Sequence, residues 1–209
     1  MADDKVTLEV FTDYVCPWCY LGHAVIEELE SAKDGLQVKL SPFPLHPGTP
    51  PEGLLLTSFL GANLEAVHER LYKLMDELGL EHCERTKTYN SRLAQELGMW
   101  GDDQEDSAKS KKLHKAFFNA YFVGDKNLAD KSVLLEGIEE AGFDVKVAEK
   151  VIDDRTYSIK VDEAWSRARQ MKITAVPTYV AGSYITSGFH PLESLMHFIE
   201  YAQIQLSKA

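Results

Sequence analysis

Val6-Thr7-Leu8-Glu9-Val10-Phe11 leads through Thr12-Asp13-Tyr14-Val15 into Cys16-Pro17-Trp18-Cys19, and the architecture turns on this passage. The first run alternates and is rich in β-branched residues, the pattern of a strand. From Leu21 onward the apolar residues Leu21, Val25, Ile26 and Leu29 recur at helical spacing. The two cysteines therefore lie where a strand turns into a helix. Proline is favoured at the first helical position, which makes Pro17 that residue and Cys16 the N-cap. Cys19 then falls in the first turn on the face of Cys16. Positions three apart on a helix are separated by about 5 Å, inside the range a disulfide requires. Two thiols so placed form a redox-capable pair.

Working outward, Leu36 to Phe43 reads as a second strand after the turn residues Asp34-Gly35, so the beginning of the chain is β-α-β. Such a spacing implies a parallel pair with a crossover. Pro42, Pro44, Pro47, Pro50 and Pro51 with Gly48 then mark an exit from that unit. From about residue 52 to 156 the pattern is helical, with no convincing strand. Leu64, Val67, Leu71, Leu74, Met75 and Leu78 make one stripe closed by Gly79. Leu93, Leu97 and Met99 predict a short helix ending near Gly98. The polar stretch 102–110 precedes a helix carrying Leu113, Phe117, Phe118, Tyr121 and Phe122, and two shorter helices follow around Val133–Ile138 and Val147–Ile152. Tyr157 to Met171 predicts another helix. Thr178-Tyr179-Val180-Ala181 and Tyr184-Ile185-Thr186 predict a hairpin turning at Gly182-Ser183, and Leu192 to Ile204 a last amphipathic helix. The two ends, β-α-β and α-β-β-α, combine into one thioredoxin-like α/β sheet interrupted by an all-helical insertion. The expected division is 1–48 and 157–209 for the sheet domain and 49–156 for the insertion.

A chain of 209 residues with 44% hydrophobic and 26% charged residues has the composition of a globular domain. Its net charge of −11 argues against nucleic acid or an anionic membrane surface as partner. The start of the sequence carries no basic segment followed by an apolar one, and no apolar run is long enough to span a bilayer. A cytoplasmic location is the resulting expectation. Three cysteines are too few for a stapled secreted framework. A Cys-x-x-Cys beside a βα unit in a reducing compartment points to exchange chemistry instead.

Only a thiolate attacks a disulfide. Cys16 faces the unpaired amides and the positive end of the helix dipole, which favour the charged form and make it the expected nucleophile. Cys19 is the expected resolving thiol. Trp18 brings no positive charge, so a strongly oxidising pair does not follow from the motif alone. The competing interpretation is a zinc site, with His23 as a third ligand and Cys83, His82 or His46 completing it. Zinc normally takes four ligands, and none of the histidines has a paired metal-binding spacing. The expectation is no metal. His46, His68, His114 and His197 are expected on helical or loop surfaces, and Cys83 as a bystander. Asp13 flanks the nucleophile in a position to relay protons, although solvation is the commoner fate of a loop carboxylate. Taken alone, Pro177 reads as an ordinary edge-strand proline.

The segment Phe11-Thr12-Asp13-Tyr14-Val15-Cys16-Pro17-Trp18-Cys19-Tyr20-Leu21-Gly22 resembles the active-site segment of DsbA-like thiol oxidoreductases, specifically the FrnE-like branch. Tyr89-Asn90-Ser91-Arg92-Leu93-Ala94 resembles the start of a helix in that family's insertion. Thr174-Ala175-Val176-Pro177-Thr178-Tyr179-Val180 resembles its cis-proline loop, with Ser187-Gly188-Phe189-His190-Pro191 as the following strand-to-helix turn. One departure is Phe189-His190, where the family more often has Ala-Gln. The resemblance implies disulfide exchange with protein or small-thiol substrates through Cys16 and Cys19. It also implies a cis Val176–Pro177 bond facing Cys16, with Pro17, Trp18, Val176 and Pro177 shaping the site. No cofactor is implied beyond the dithiol, and glutathione is a possible co-substrate. The same fold serves kappa-class glutathione transferases and 2-hydroxychromene-2-carboxylate isomerases, which supply the alternative activity. The second cysteine argues for dithiol chemistry over that alternative.

Overall fold

The computed structural model describes residues 7–33 and 35–208, so Val6 and the turn residue Asp34 lie outside the described residues. The first unit is β1 (Thr7–Thr12), α1 (Pro17–Ala32) and β2 (Gln37–Pro42), with β1 and β2 parallel. The last is α8 (Ser158–Gln170), β5 (Thr178–Ala181), β6 (Tyr184–Ser187) and α9 (Leu192–Leu206). The four strands form one mixed α/β sheet in the order β2-β1-β5-β6, with β5 antiparallel to both neighbours. In register, Val10 of β1 sits between Leu40 of β2 and Tyr179 of β5.

Strand β1 is central and buried on both faces, as a strand covered by helices on either side must be. Leu8 and Val10 point to one face, where α1 and α9 cover them with Val25, Ile26, Leu29, Leu195, Ile199 and Ala202. Phe11 joins the other core, which is continuous with the helical region. Glu9 shares that second face. Its buried carboxylate accepts hydrogen bonds from Ser41 and from both guanidinium nitrogens of Arg167 on α8.

Between the two halves of the sheet lie β3 (Leu54–Leu55), α2 (Thr57–Leu60), a 3-10 turn (Gly61–Asn63), α3 (Leu64–Glu77), β4 (Lys87–Thr88), α4 (Arg92–Asp102), α5 (Ser107–Phe122), α6 (Lys131–Ala141) and α7 (Val145–Asp154). Aspartates start three of these helices. Asp106, Asp130 and Asp144 each accept a hydrogen bond from a backbone amide of the following first turn, in α5, α6 and α7. None of the described helices is long and apolar enough to cross a membrane.

Two expectations for this region are corrected. It is not free of strand, because β3 and β4 pair antiparallel, Leu54 opposite Thr88 and Leu55 opposite Lys87. Strands of two residues carry too little alternation to be detected. Nor does Gly98 end a helix, since α4 runs on to Asp102. A Cβ at residue 98 would overlap the Tyr14 hydroxyl, so the glycine serves a close approach rather than a cap.

Candidate active site

Cys16 occupies the N-cap of α1 in an extended conformation (φ −86°, ψ 117°), with Pro17 opening the helix. Its amide donates to the Asp13 carbonyl (3.0 Å), and its own carbonyl accepts from the Cys19 and Tyr20 amides (3.0 and 3.1 Å). These bonds fix the turn, and both cysteines lie in the core shared with the helical region. Both cysteines are free thiols, exposed by only 3% and 2%. The Cys16 thiol donates to the Val176 carbonyl at 3.5 Å. The Val176–Pro177 peptide is cis, and the Pro177 carbonyl accepts from the Gly188 amide at 2.8 Å. Thr178 pins the same loop, its hydroxyl bonded to the Ala175 carbonyl and to Ser187. Cys16, Cys19, Val176 and Pro177, far apart in sequence, thus meet at one end of the sheet. Pro17 and Trp18 sit half-buried at the rim.

The two thiols differ. Burial first, then the adjacent Cys16 sulfur, push the Cys19 thiol well above the ordinary cysteine value, despite bonds to Thr12 and the Asp13 backbone that act the other way. Cys19 therefore stays protonated beside its partner, as a resolving thiol would. Trp18 has a cation after all. The Arg70 guanidinium of α3 lies over its ring at 5.7 Å, within cation–π range.

The structure corrects two other placements. Asp13 is not solvated: it is 1% exposed. Its carboxylate accepts from the Val15 amide (3.2 Å) and the Leu45 amide (3.0 Å). Burial pushes its pKa to about 6, against bonds from Ser91, Leu45, Val15 and Gln95 that hold it down. His114 is not on the surface either. Its Nδ1 pairs with the Tyr14 hydroxyl at 2.6 Å and its Nε2 with Asp102 at 3.0 Å, while Ser110 donates to the same carboxylate. Burial, then Asp102 and Asp13, hold the Tyr14 hydroxyl well above its usual range, so it is the donor to His114. This chain ties the loop before Cys16 to α4 and α5. The only sequence signals for it were a polar residue next to the motif and a histidine in an aromatic helix.

His23 is buried, and burial with His114 and Lys115 nearby lowers its pKa to about 3, so it is neutral. Among the described residues no group of three or more histidines, cysteines or carboxylates is arranged to hold a metal. Cys83 is half-buried, with its amide on the Phe122 carbonyl and its thiol pushed up by burial.

A family model described as a DSBA-like thioredoxin domain matches residues 7–200. The uncharacterized protein YwbO of Bacillus subtilis (strain 168) is 27% identical over 186 residues, 88% of this chain and 90% of that protein. Among solved structures, the probable DsbA oxidoreductase SCO1869 of Streptomyces coelicolor superposes with a TM-score of 0.84 at 25% identity, covering 94% of this chain and 89% of its own. A 2-hydroxychromene-2-carboxylate isomerase superposes with a TM-score of 0.74 at 18% identity over 97% of this chain and 96% of its own.

Proposed function

This chain belongs to the DSBA-like thioredoxin-domain family, and we propose that it exchanges disulfides through Cys16 and Cys19 in the manner of the FrnE-like branch. One observation carries the reading. Cys16 occupies the N-cap position of α1 against the cis Val176–Pro177 loop, with the protonated Cys19 one turn away. In the reducing direction the Cys16 thiolate attacks one sulfur of a substrate disulfide, forms a mixed disulfide and expels the other sulfur as a thiolate. Cys19 then gives its proton to the released substrate thiolate and attacks the Cys16 sulfur. The mixed bond breaks, the second substrate thiolate leaves, and the Cys16–Cys19 disulfide remains. The oxidising direction runs the same bonds in reverse.

With Cys16 only 3% exposed, a flat protein surface has little access to its sulfur. The geometry favours small disulfides such as that of glutathione, or an extended protein segment. The scarcity of cysteines supports a reducing, cytoplasmic setting. Cys19 weighs against a glutathione-dependent isomerase or transferase activity, which needs no second thiol.

The test is titration of the pair in glutathione buffers, read by thiol alkylation and mass. A potential near about −120 mV marks an oxidant and one near about −270 mV a reductase. Absence of a Cys16–Cys19 disulfide at every poise refutes the reading. A Cys19→Ser chain that keeps full activity on a small substrate with glutathione would favour the isomerase or transferase alternative.

A further inference from the structure

Tyr179 carries a hydroxyl that the fold does not use. The residue is fully buried, and its oxygen has no hydrogen-bond partner among the described residues. Buried polar groups are nearly always paired, because leaving one unmade costs the full desolvation of the group. A phenylalanine would fill the same space without that cost. The ring already packs in the core that holds Leu8, Val10 and Val25, with the edge of His190 at 5.9 Å.

The hydroxyl's position gives it a purpose. Residues two apart on a strand share a face, so Tyr179 lies on the side of the sheet that carries Pro177 and α1. Its oxygen reaches under α1 into the notch left by Gly22. A Cβ on Gly22 would stand 2.7 Å from that oxygen and 3.5 Å from Pro177 Cγ. Gly22 follows Cys19 by three residues, about one turn along the same helical face. The phenol tip therefore ends in the pocket bounded by the active-site helix and the cis-proline. Burial, then the nearby Cys19 and Cys16 sulfurs, push its ionisation far above the ordinary tyrosine value. It remains an O–H and can only donate to a negative neighbour. Of the two sulfurs that carry charge during exchange, Cys19 is the one that shares the helical face of Gly22, one turn away.

We propose that the Tyr179 hydroxyl is the hydrogen-bond donor for Cys19 when that sulfur carries charge, a role that rests on the dithiol chemistry above. In the oxidising direction a substrate thiolate attacks Cys16 Sγ of the Cys16–Cys19 disulfide. A bond forms between the substrate sulfur and Cys16, the Cys16–Cys19 bond breaks, and its electron pair leaves on Cys19 Sγ. That thiolate forms in a site where burial disfavours it. A short side-chain or solvent reorientation brings the waiting O–H to it, so the donor unpaired in the dithiol state is paired in the charged one. No proton is transferred. Tyr179 lowers the barrier to departure of Cys19 and, by microscopic reversibility, to its attack.

The experiment compares Tyr179→Phe with the unsubstituted protein, both pre-oxidised and reduced by excess glutathione in stopped flow. Loss of one donor to a developing anion predicts reduction slower by about tenfold or more. The first step of the opposite direction serves as the internal control. In a Cys19→Ser background, Cys16 attack on glutathione disulfide should stay within twofold, because Cys19 takes no part in it. Equal reduction rates for the two oxidised chains, or equal slowing of both steps, overturns the inference while leaving the dithiol function intact. A parent protein that forms no Cys16–Cys19 disulfide overturns both.

Discussion

Replacing Asp13 with asparagine should change stability by an amount that depends on pH. Burial lifts the Asp13 pKa from 3.8 to about 6, while bonds from Ser91, Leu45, Val15 and Gln95 pull it down. An acid whose folded pKa lies above its unfolded value favours folding when protonated. Its contribution is fully present below the unfolded pKa and is lost as pH rises through the folded one. A gap of about 2 in pKa corresponds to about 3 kcal/mol, lost between roughly pH 4 and pH 7. Asparagine does not titrate, but its amide nitrogen cannot accept a hydrogen bond. One of the Val15 and Leu45 amides, now 3.2 and 3.0 Å from the two carboxylate oxygens, loses its acceptor. That costs about 1–3 kcal/mol at every pH. At pH 4 the variant is therefore weaker by that amount. At pH 7 relief of the buried charge offsets the loss, and the two proteins are nearly equal or the variant is more stable. Urea unfolding of both chains at several pH values from 4 to 7 reads the difference, in which all other titrations cancel. A difference constant across that window would refute the buried-charge account of Asp13.

Cys19→Ser should accumulate a Cys16 mixed disulfide with glutathione, visible by intact mass, whereas Cys16→Ser should accumulate none at Cys19; equal trapping at both positions would reverse the assigned roles. Gly98→Ala places a Cβ on the Tyr14 hydroxyl and 3.1 Å from His114 Cε1, and thermal unfolding should report a loss of about 1–3 kcal/mol. Adding Tyr14→Phe removes the clash, so the double variant should be less destabilised than the sum of the two, and strict additivity would deny the contact. Arg167→Ala leaves the Glu9 carboxylate with Ser41 and Lys39 only. Burial raises the Glu9 pKa, but Arg167, Ser41 and Lys39 together bring it below 4.5, so its contribution is present at neutral pH and lost on acidification. With the Arg167 side chain half exposed, its loss at pH 7 should cost about 1–2 kcal/mol and should shrink toward pH 4; a cost that grows on acidification would contradict the pairing.

The frame of the fold was legible because its signals are local and repeated. Alternation in β1, the helical spacing after Cys19 and the Gly182-Ser183 turn each fix an element without outside help, and the resemblance supplied the cis-proline. What escaped depends on groups that meet only in space. Gly98 reads as a helix stop because a missing side chain looks the same whether it frees the backbone or admits a neighbour. His114 reads as a surface residue because Leu113, Phe117 and Tyr121 already suffice to define an apolar stripe. Its partner Tyr14 is 100 residues away. Asp13 reads as a solvated loop acid because nothing nearby in sequence announces the Ser91, Gln95 and Leu45 donors that permit its burial. The two-residue strands fail for a different reason, since periodicity needs more than one repeat.

These missed contacts share a location, and the location bears on mechanism. Asp13, Tyr14 and Cys16 are within four consecutive positions, and each is tied to a different part of the molecule. Asp13 binds the Leu45 amide after β2, Tyr14 binds His114 on α5, and Cys16 meets Val176 before β5. A nucleophile at a helix N-cap is only as well placed as the turn that precedes it, and this turn has no regular ladder of its own to hold it. The helical region between the two halves of the sheet therefore contributes more than a cover. Phe117, Phe118 and Tyr121 pack in the same core as Tyr14, Cys16 and Cys19, so loosening α5 loosens the turn that presents the thiol. A change at His114, whose ring nitrogens pair with Tyr14 and Asp102, should consequently alter the rate of the Cys16 step as well as stability. A surface change on α9, whose buried residues Leu195, Ile199 and Ala202 belong to the separate core on the far face of the sheet, should alter stability alone.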